Sequence, residues 1–386
     1  MTIDNYSEIF KRVEKCFCEV FGRHYENSIS AETSMDDIVE WDSLNYIDFV
    51  CELEDEFDIE FSETESAQMF QIQHILRIID SIVHHKPHDD VKHAYAQMQL
   101  ILQHAESDCT QIIILSGSST REGFVPLNEM QDFASTAFDK AIRVYNISVS
   151  GLVIAEMLQI IEALQNVKNL RYVIGFSPII LFGCGMNEFN RSCQFERFST
   201  PSPLMLSVLS EYGYQKTSSV SSQSIEQWCH RFLANRSLEE LRYSPYKYPT
   251  LKPWDAEKLA DEESILRYYN NAPLNFTQSK LINAHLLDQI FTLTTQFQQK
   301  LIFINLTLHS ETLKFLEELG QLVSQTKAFI REHVEKGHLI FIDGVENAEI
   351  TDEDYRDPGH IFVKQEQYTQ QTLLALELSI RNMEEK

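Results

Sequence analysis

Two groups of residues in this chain have the types and spacing for chemistry at a serine oxygen. The first is Glu40-Trp41-Asp42-Ser43-Leu44, which sets a serine at the start of an acidic amphipathic helix running on through Asp48, Glu52, Asp55 and Glu56. Asp42 is a natural N-cap there, and the unpaired N–H groups and dipole of a helix start favour a phosphate ester on Ser43. The other reading is that the serine only caps the helix. The second group pairs the serine-rich segment Ser116-Gly117-Ser118-Ser119-Thr120 with Asp357-Pro358-Gly359-His360, far along the chain. A nucleophilic serine needs a base within hydrogen-bond reach and an acid that orients the base. Asp357 and His360 offer both from one loop; the competing reading of the serine segment is a phosphate-binding or plain turn.

Positioning these groups takes two kinds of scaffold. Over residues 1–83 apolar residues recur at helical spacing: Ile9, Val13, Phe17, Val20 and Phe21, then Leu44, Ile47, Val50 and Leu53, then Ile72, Ile75, Ile78, Ile79 and Ile82. Such faces bury one another in a small antiparallel bundle. From His24 through Leu76 there is no Lys or Arg, while Asp and Glu crowd residues 36–65, an asymmetry that marks a separate module. Residues 84–90, with Pro87 and clustered imidazoles, read as a linker. Val91, Tyr95, Met98 and Leu102 follow at helical spacing, so 84–107 is assigned as a linker and spacer helix, or as the first helix of the next domain.

From Thr110 the pattern changes. Short apolar runs at 112–115, 142–147, 172–176, 301–304 and 339–342 alternate with amphipathic helices at about 126–139, 151–167, 309–336 and 366–383. Alternation of this kind means a parallel sheet with helices on both faces. The ends of those strands are where an open parallel sheet exposes its ligand-binding residues. The gap of about 183–298 is too long for a plain connection. It is expected to be a helical, aromatic-rich insertion carrying Arg236, Arg242, Lys247, Lys252 and Lys258 as a candidate basic dock.

Composition narrows the classes of partner. A formal charge of −26 argues against nucleic acid or an anionic membrane, since both would repel this surface. No apolar stretch is long enough to span a bilayer and no basic-then-apolar leader opens the sequence, so a soluble cytoplasmic protein is expected. The seven cysteines lack C-x-x-C spacing, which fits reduced thiols and no metal site.

Asp42-Ser43-Leu44, the acidic helix behind it and Phe57-Asp58-Ile59-Glu60-Phe61 together resemble the acyl and peptidyl carrier proteins over residues 1–83. The resemblance implies a four-helix bundle whose Ser43 carries covalent phosphopantetheine. It further implies a phosphopantetheinyl transferase and an acyl-loading enzyme as partners, with Glu52, Asp55 and Glu56 as the face that docks their basic surfaces.

The serine turn and the terminal Asp-x-x-His resemble the SGNH, or GDSL, hydrolase superfamily across about residues 110–386. This implies a flavodoxin-like three-layer α/β/α domain with a large helical insertion, Ser119 as nucleophile, His360 as base and Asp357 as its orienting acid. Gly151, closing Asn146-Ile147-Ser148-Val149-Ser150-Gly151, takes the family's glycine block and its oxyanion role. Two positions depart from the family pattern: Ser118 replaces the aspartate of the first block, and Gly175-Phe176-Ser177-Pro178 lacks the asparagine of the third. Losing such an oxyanion donor costs about 10²–10³ in rate. The Ser119 and Gly151 amides with the Ser177 hydroxyl would then form the hole. Gly117-Ser118-Ser119 and Phe176-Ser177-Pro178 are also similar to divergent members that work with carrier proteins in D-alanyl transfer to cell-wall polymers.

Together the resemblances imply acyl handling: an acyl group on the Ser43 arm is attacked by Ser119 and passed to water or an acceptor alcohol. Fusing the two parts raises the effective concentration of one at the other. A non-catalytic carrier and scaffold with a degenerate hydrolase domain, and an esterase with an N-terminal interaction module, are the other two readings.

Overall fold

The computed structural model describes residues 3–34, 37–57, 59, 61, 66, 69–85, 89–182, 202–213, 253–269, 274, 276–305 and 308–384. The chain divides into two units, Met1–Pro87 with Ser224–Asn235, and His88–Gln223 with Arg236–Lys386.

In the first unit the helices are α1 (Ile3–Phe21), α2 (Ser43–Phe57) and α3 (Ile72–His85). Three long helices and one 3-10 turn, Arg23–Tyr25, are present among the described residues. Ile9, Val13, Phe17 and Phe21 of α1 are buried against Phe49, Leu53 and Phe57 of α2 and Ile72, Ile75, Leu76 and Ile79 of α3. Phe17 meets Phe49 edge-on at 5.5 Å, and Phe21 stacks on Trp41 at 5.1 Å. The α2 face differs from the expected one. Phe49, Leu53 and Phe57 sit four residues apart on one stripe, while Leu44 and Ile47 fall on the opposite side and are 69% and 57% exposed. Glu56 is tied to Arg12 at 2.8 Å and to Lys15 at 2.9 Å, so one acid of the expected docking face is engaged within the unit. Asp55 is exposed.

The second unit runs α4 (Asp89–Gln103), β1 (Thr110–Leu115), α5 (Ser118–Gly123), α6 (Leu127–Ala137), β2 (Ile142–Asn146), α7 (Ile154–Ala163), β3 (Leu170–Phe176) and α8 (Pro178–Phe182). It continues through α9 (Pro203–Glu211), α10 (Ala256–Ala260), α11 (Glu262–Tyr268), α12 (Phe276–Gln296), β4 (Lys300–Asn305), α13 (Ser310–Gly320) and α14 (Leu322–Glu335). Last come β5 (Ile340–Ile342), α15 (Gly344–Asn347), β6 (Tyr355–Asp357), β7 (His360–Ile361) and α16 (Gln365–Glu384). The five main strands are all parallel in the order β2-β1-β3-β4-β5, a doubly wound order whose switch point lies between β1 and β3.

Both sheet faces are covered, as the unbroken apolar runs require. Ile113, Leu115, Tyr172, Ile174 and Phe303 pack with helices α4, α7, α12 and α14 on one side. Ile112, Ile114, Val144, Val173 and Ile302 pack with α6 and α16 on the other.

Of the two readings of the segment after Pro87, Asp89–Gln103 fits the first helix of the second unit: Val91, Ala94, Met98 and Ile101 are buried in its core, because the apolar stripe has a sheet face to cover. Two features differ from the expected layout. The last part of the expected insertion, α12, is a scaffold helix, with Ile282, Leu286, Ile290 and Phe291 buried under the sheet. The single helix expected over 309–336 breaks at Gln321, whose φ is 55°. A side chain at Gly320 would come within 2.9 Å of the Phe276 ring, so the corner depends on that close approach. Of the candidate basic dock, Lys258 is exposed over the Trp254 ring at 3.9 Å, and Arg236, Arg242, Lys247 and Lys252 lie outside the described residues. Among the described residues no helix is long and apolar enough to cross a membrane.

Candidate active site

The site is built where β1 ends. The Ser116 amide donates to the Ser148 hydroxyl at 3.1 Å, and the Ser116 hydroxyl donates to the Gly175 carbonyl at 2.9 Å, so the turn is pinned to the chain leaving β2 and to β3. Gly117 is extended and Ser118 begins α5. Near the other end of the unit, β6 and β7 form a tight antiparallel pair that the strand reading missed because it is only three and two residues long. Asp357 closes its turn by accepting the Gly359 and His360 amides at 3.1 and 3.0 Å, an Asx-type turn. The same carboxylate meets His360 Nδ1 at 2.7 Å through Oδ1 and 3.0 Å through Oδ2. His360 Nε2 lies 3.0 Å from Ser118 Oγ.

The histidine therefore reaches Ser118, not Ser119, the serine that the family pattern singles out. Successive residues of a helix point about 100° apart, so one of the pair faces His360 and its neighbour turns away. The Ser119 hydroxyl instead lies against Gly359, where a Cβ would come within 3.2 Å of it and within 2.9 Å of the Tyr269 hydroxyl. Residue 359 must be small for this loop to close over the serine turn.

Behind the Ser–His–Asp line runs a chain of buried charges. Asp90 at the start of α4 takes a 2.8 Å bond from the Ser150 amide and pairs with Arg121 at 2.7 Å. Arg121 also reaches Ser150 Oγ at 3.2 Å and Glu122 at 3.4 Å; Glu122 binds Arg356 at 2.7 Å, and Arg356 Nε meets Asp357 at 3.2 Å. Glu122 Oε1 lies 3.8 Å from His360 Nε2. The signs alternate along this chain, so every charge removed from water has an opposite neighbour, the condition under which burial of ions is tolerated. Among these groups three carboxylates face two guanidiniums, and an imidazolium on His360 would cancel the remaining negative charge.

The electrostatics fix the protonation pattern. Burial works to raise the Asp357 pKa, but the His360 hydrogen bond and charge, the Gly359 amide and Arg356 outweigh it and hold the carboxyl down at about 2. Asp357 is thus ionised at neutral pH and accepts the Nδ1 proton, leaving Nε2 as the acceptor for the Ser118 hydroxyl. The depressed pKa also sets a sign for stability. Asp357 stabilises the folded unit above its unfolded pKa, and that contribution is lost as pH falls through about 2. Asp90 is lowered as well, with burial opposed by the Ser150 amide and Arg121.

Of the remaining expected positions, Gly151 has φ 64° on an exposed turn that follows Ser150, in the loop pinned by Ser148 and by the Val149 amide bonded to the Ser116 carbonyl at 3.0 Å. Ser177 is buried where β3 passes into α8, its carbonyl accepting the Ile180 amide at 3.1 Å. Ser43 opens α2 in the other unit; its side chain lies outside the described residues. Asp42 caps that helix as expected, accepting the Leu44 and Asn45 amides at 2.9 Å each. Those two N–H groups are therefore not free to cradle a phosphate.

Asp90, Arg121, Glu122, Arg356 and Tyr268 were not singled out from the sequence. The adjacent pairs Arg121-Glu122 and Arg356-Asp357, set in apolar surroundings beside the serine turn and the Asp-x-x-His, are a readable signal. Asp90 and Tyr268 carry none. No family model, curated protein or solved structure matches the chain.

Proposed function

We propose that the second unit is an SGNH-type serine acyltransferase or ester and thioester hydrolase with Ser118, His360 and Asp357 as its triad, and that the first unit is its acyl carrier domain. The observation that carries the enzyme half is the unbroken line from Asp357 through His360 to Ser118 at hydrogen-bond distances. In this reading Ser118 Oγ attacks the acyl carbonyl as its proton passes to His360 Nε2, and the leaving group departs with that proton. Water or an acceptor hydroxyl then attacks the acyl-serine, giving its proton to His360, and Ser118 regains its own. The Ser118 and Gly151 amides with the Ser177 hydroxyl are the proposed oxyanion donors. The test is covalent labelling by a serine-directed fluorophosphonate, lost in Ser118→Ala.

For the carrier half, the support is the position of Ser43 at the start of a capped helix whose neighbours Leu44 and Ile47 are exposed. A surface attachment fits there, and phosphopantetheine on Ser43 would supply a thiol that holds the acyl group as a thioester. Its partners would be a phosphopantetheinyl transferase and an acyl-loading enzyme, reached through the exposed side of α2. With coenzyme A and a broad-range transferase, intact-mass measurement is expected to show one phosphopantetheine added to the wild type and none to Ser43→Ala. A wild type that gains no mass would leave the first unit as an interaction module alone.

A further inference from the structure

Tyr268 is the last residue of α11, in the stretch between β3 and β4, and no pattern in the sequence ties it to the triad. Its hydroxyl lies 3.0 Å from Asp357 Oδ1 and 2.6 Å from His360 Nδ1, and those two atoms are 2.7 Å apart, so the three form a closed triangle. We propose that Tyr268 is a positioning residue of the triad, whose hydroxyl donates to Asp357, draws off part of the carboxylate's charge and makes His360 a weaker base than an Asp–His pair alone. This rests on the acyl-transfer reading of the site.

The proton count decides the direction of the bonds. The triangle holds two protons, one on the tyrosine and one on Nδ1, and a carboxylate that is ionised. Tyr268 keeps its proton, because burial above all, then the neighbouring Tyr269 and the Asp357 charge, push the phenol well above its ordinary range. Donation to Nδ1 instead would force the imidazole proton onto Nε2, which could then not accept from Ser118. It would also leave a bare carboxylate oxygen facing a nitrogen lone pair at 2.7 Å. Donation to Asp357 keeps both protons where the triad needs them. Asp357 Oδ1 then accepts four donors, from Tyr268, the His360 ring and the Gly359 and His360 amides.

Tyr268 is held in place by contacts to the same hairpin. The Trp254 ring meets it edge-on at 5.5 Å, the Trp254 amide donates to the Arg356 carbonyl at 2.8 Å, and Tyr269 packs edge-on at 4.8 Å. Among the described residues, the titratable and charged groups facing His360 are Asp357 and Arg356 on β6, Glu122 on α5 with its partner Arg121, and Tyr268 and Tyr269. Of these only the Tyr268 hydroxyl can be removed without deleting a charge from that cluster or touching the packing of Gly359.

The experiment is the pH dependence of the rate at which a fluorophosphonate labels Ser118 in the full chain. Labelling needs Nε2 free to accept the Ser118 proton, so the pH profile of the rate reports on the triad. In Tyr268→Phe the carboxylate keeps its full charge and holds the imidazolium more tightly, so the midpoint is expected to move up by roughly half to one pH unit. Incorporating 3-fluorotyrosine at position 268, a stronger donor of nearly the same shape, is expected to move it down. Shifts of opposite sign do not follow from a packing role, and the fluorotyrosine protein gives the result even where the phenylalanine form fails to fold. Equal midpoints in wild type and fluorotyrosine protein would overturn this inference and leave the triad standing; a wild type carrying no label on Ser118 would overturn the acyl-transfer reading beneath it.

Discussion

Replacing Asp357 with asparagine is expected to lower acyl turnover by about 10⁴ at neutral pH, with the fold retained. The carboxylate fixes His360 with its proton on Nδ1 through bonds of 2.7 and 3.0 Å. An asparagine oxygen kept at the Oδ1 position still accepts the Gly359 and His360 amides, so the turn persists. The side chain no longer carries the charge that stabilises an imidazolium on His360, and its NH2 at the Oδ2 position sets a donor 3.0 Å from Nδ1 that competes for the other tautomer, whose proton on Nε2 blocks transfer from Ser118. The measurement is steady-state hydrolysis of a short acyl thioester, with circular dichroism to verify the fold. A loss below tenfold would mean that Asp357 only shapes the loop.

Arg356→Met is expected to destabilise the second unit by about 3–5 kcal/mol, the range found when one partner is removed from a buried ion pair. Arg356 bonds Glu122 at 2.7 Å and Asp357 at 3.2 Å, and it is itself buried. Its loss sets two buried carboxylates near each other with no positive charge between them. The comparison is Arg381→Met, which removes ion pairs to Asp139 and Glu377 at 2.9 and 2.6 Å, with the arginine half exposed. That change is expected to cost no more than about 1 kcal/mol. Urea unfolding of the full chain, followed by a probe in the second unit, separates the two. Equal, small effects would show that the buried chain of charges does not brace the site.

Much of this architecture was legible because buried parallel strands leave an unmistakable trace. Each of the five apolar runs lies within an observed strand or overlaps it to within two residues, from Thr110–Leu115 to Ile340–Ile342. The helix break at Gln321 was hidden, since the apolar period continues across it, and Gly320 just before it packs against the Phe276 ring, a contact from another helix. The stripe of α2 was misjudged for a related reason. Two apolar faces compete on that helix, and only packing against α1 decides that Phe49, Leu53 and Phe57 go inward while Leu44 and Ile47 stay outside.

At the site, Asp357 and His360 were readable because the whole contact is local to one turn. The choice between Ser118 and Ser119 was not, because motif matching counts residues along the chain while the hydrogen bond depends on rotation about α5. Asp90 and Tyr268 reach the site from α4 and α11, so their roles exist only once the second unit has folded.

The proposed triad makes Ser118, and not its neighbour Ser119, the serine that reacts. Treating the wild-type chain with a fluorophosphonate and mapping the adduct by peptide mass spectrometry gives the answer in one measurement. The adduct is predicted on Ser118, retained in Ser119→Ala and Ser43→Ala and lost in Ser118→Ala and His360→Ala. An adduct on Ser119 that persists in Ser118→Ala would contradict the geometry on which the proposed triad rests.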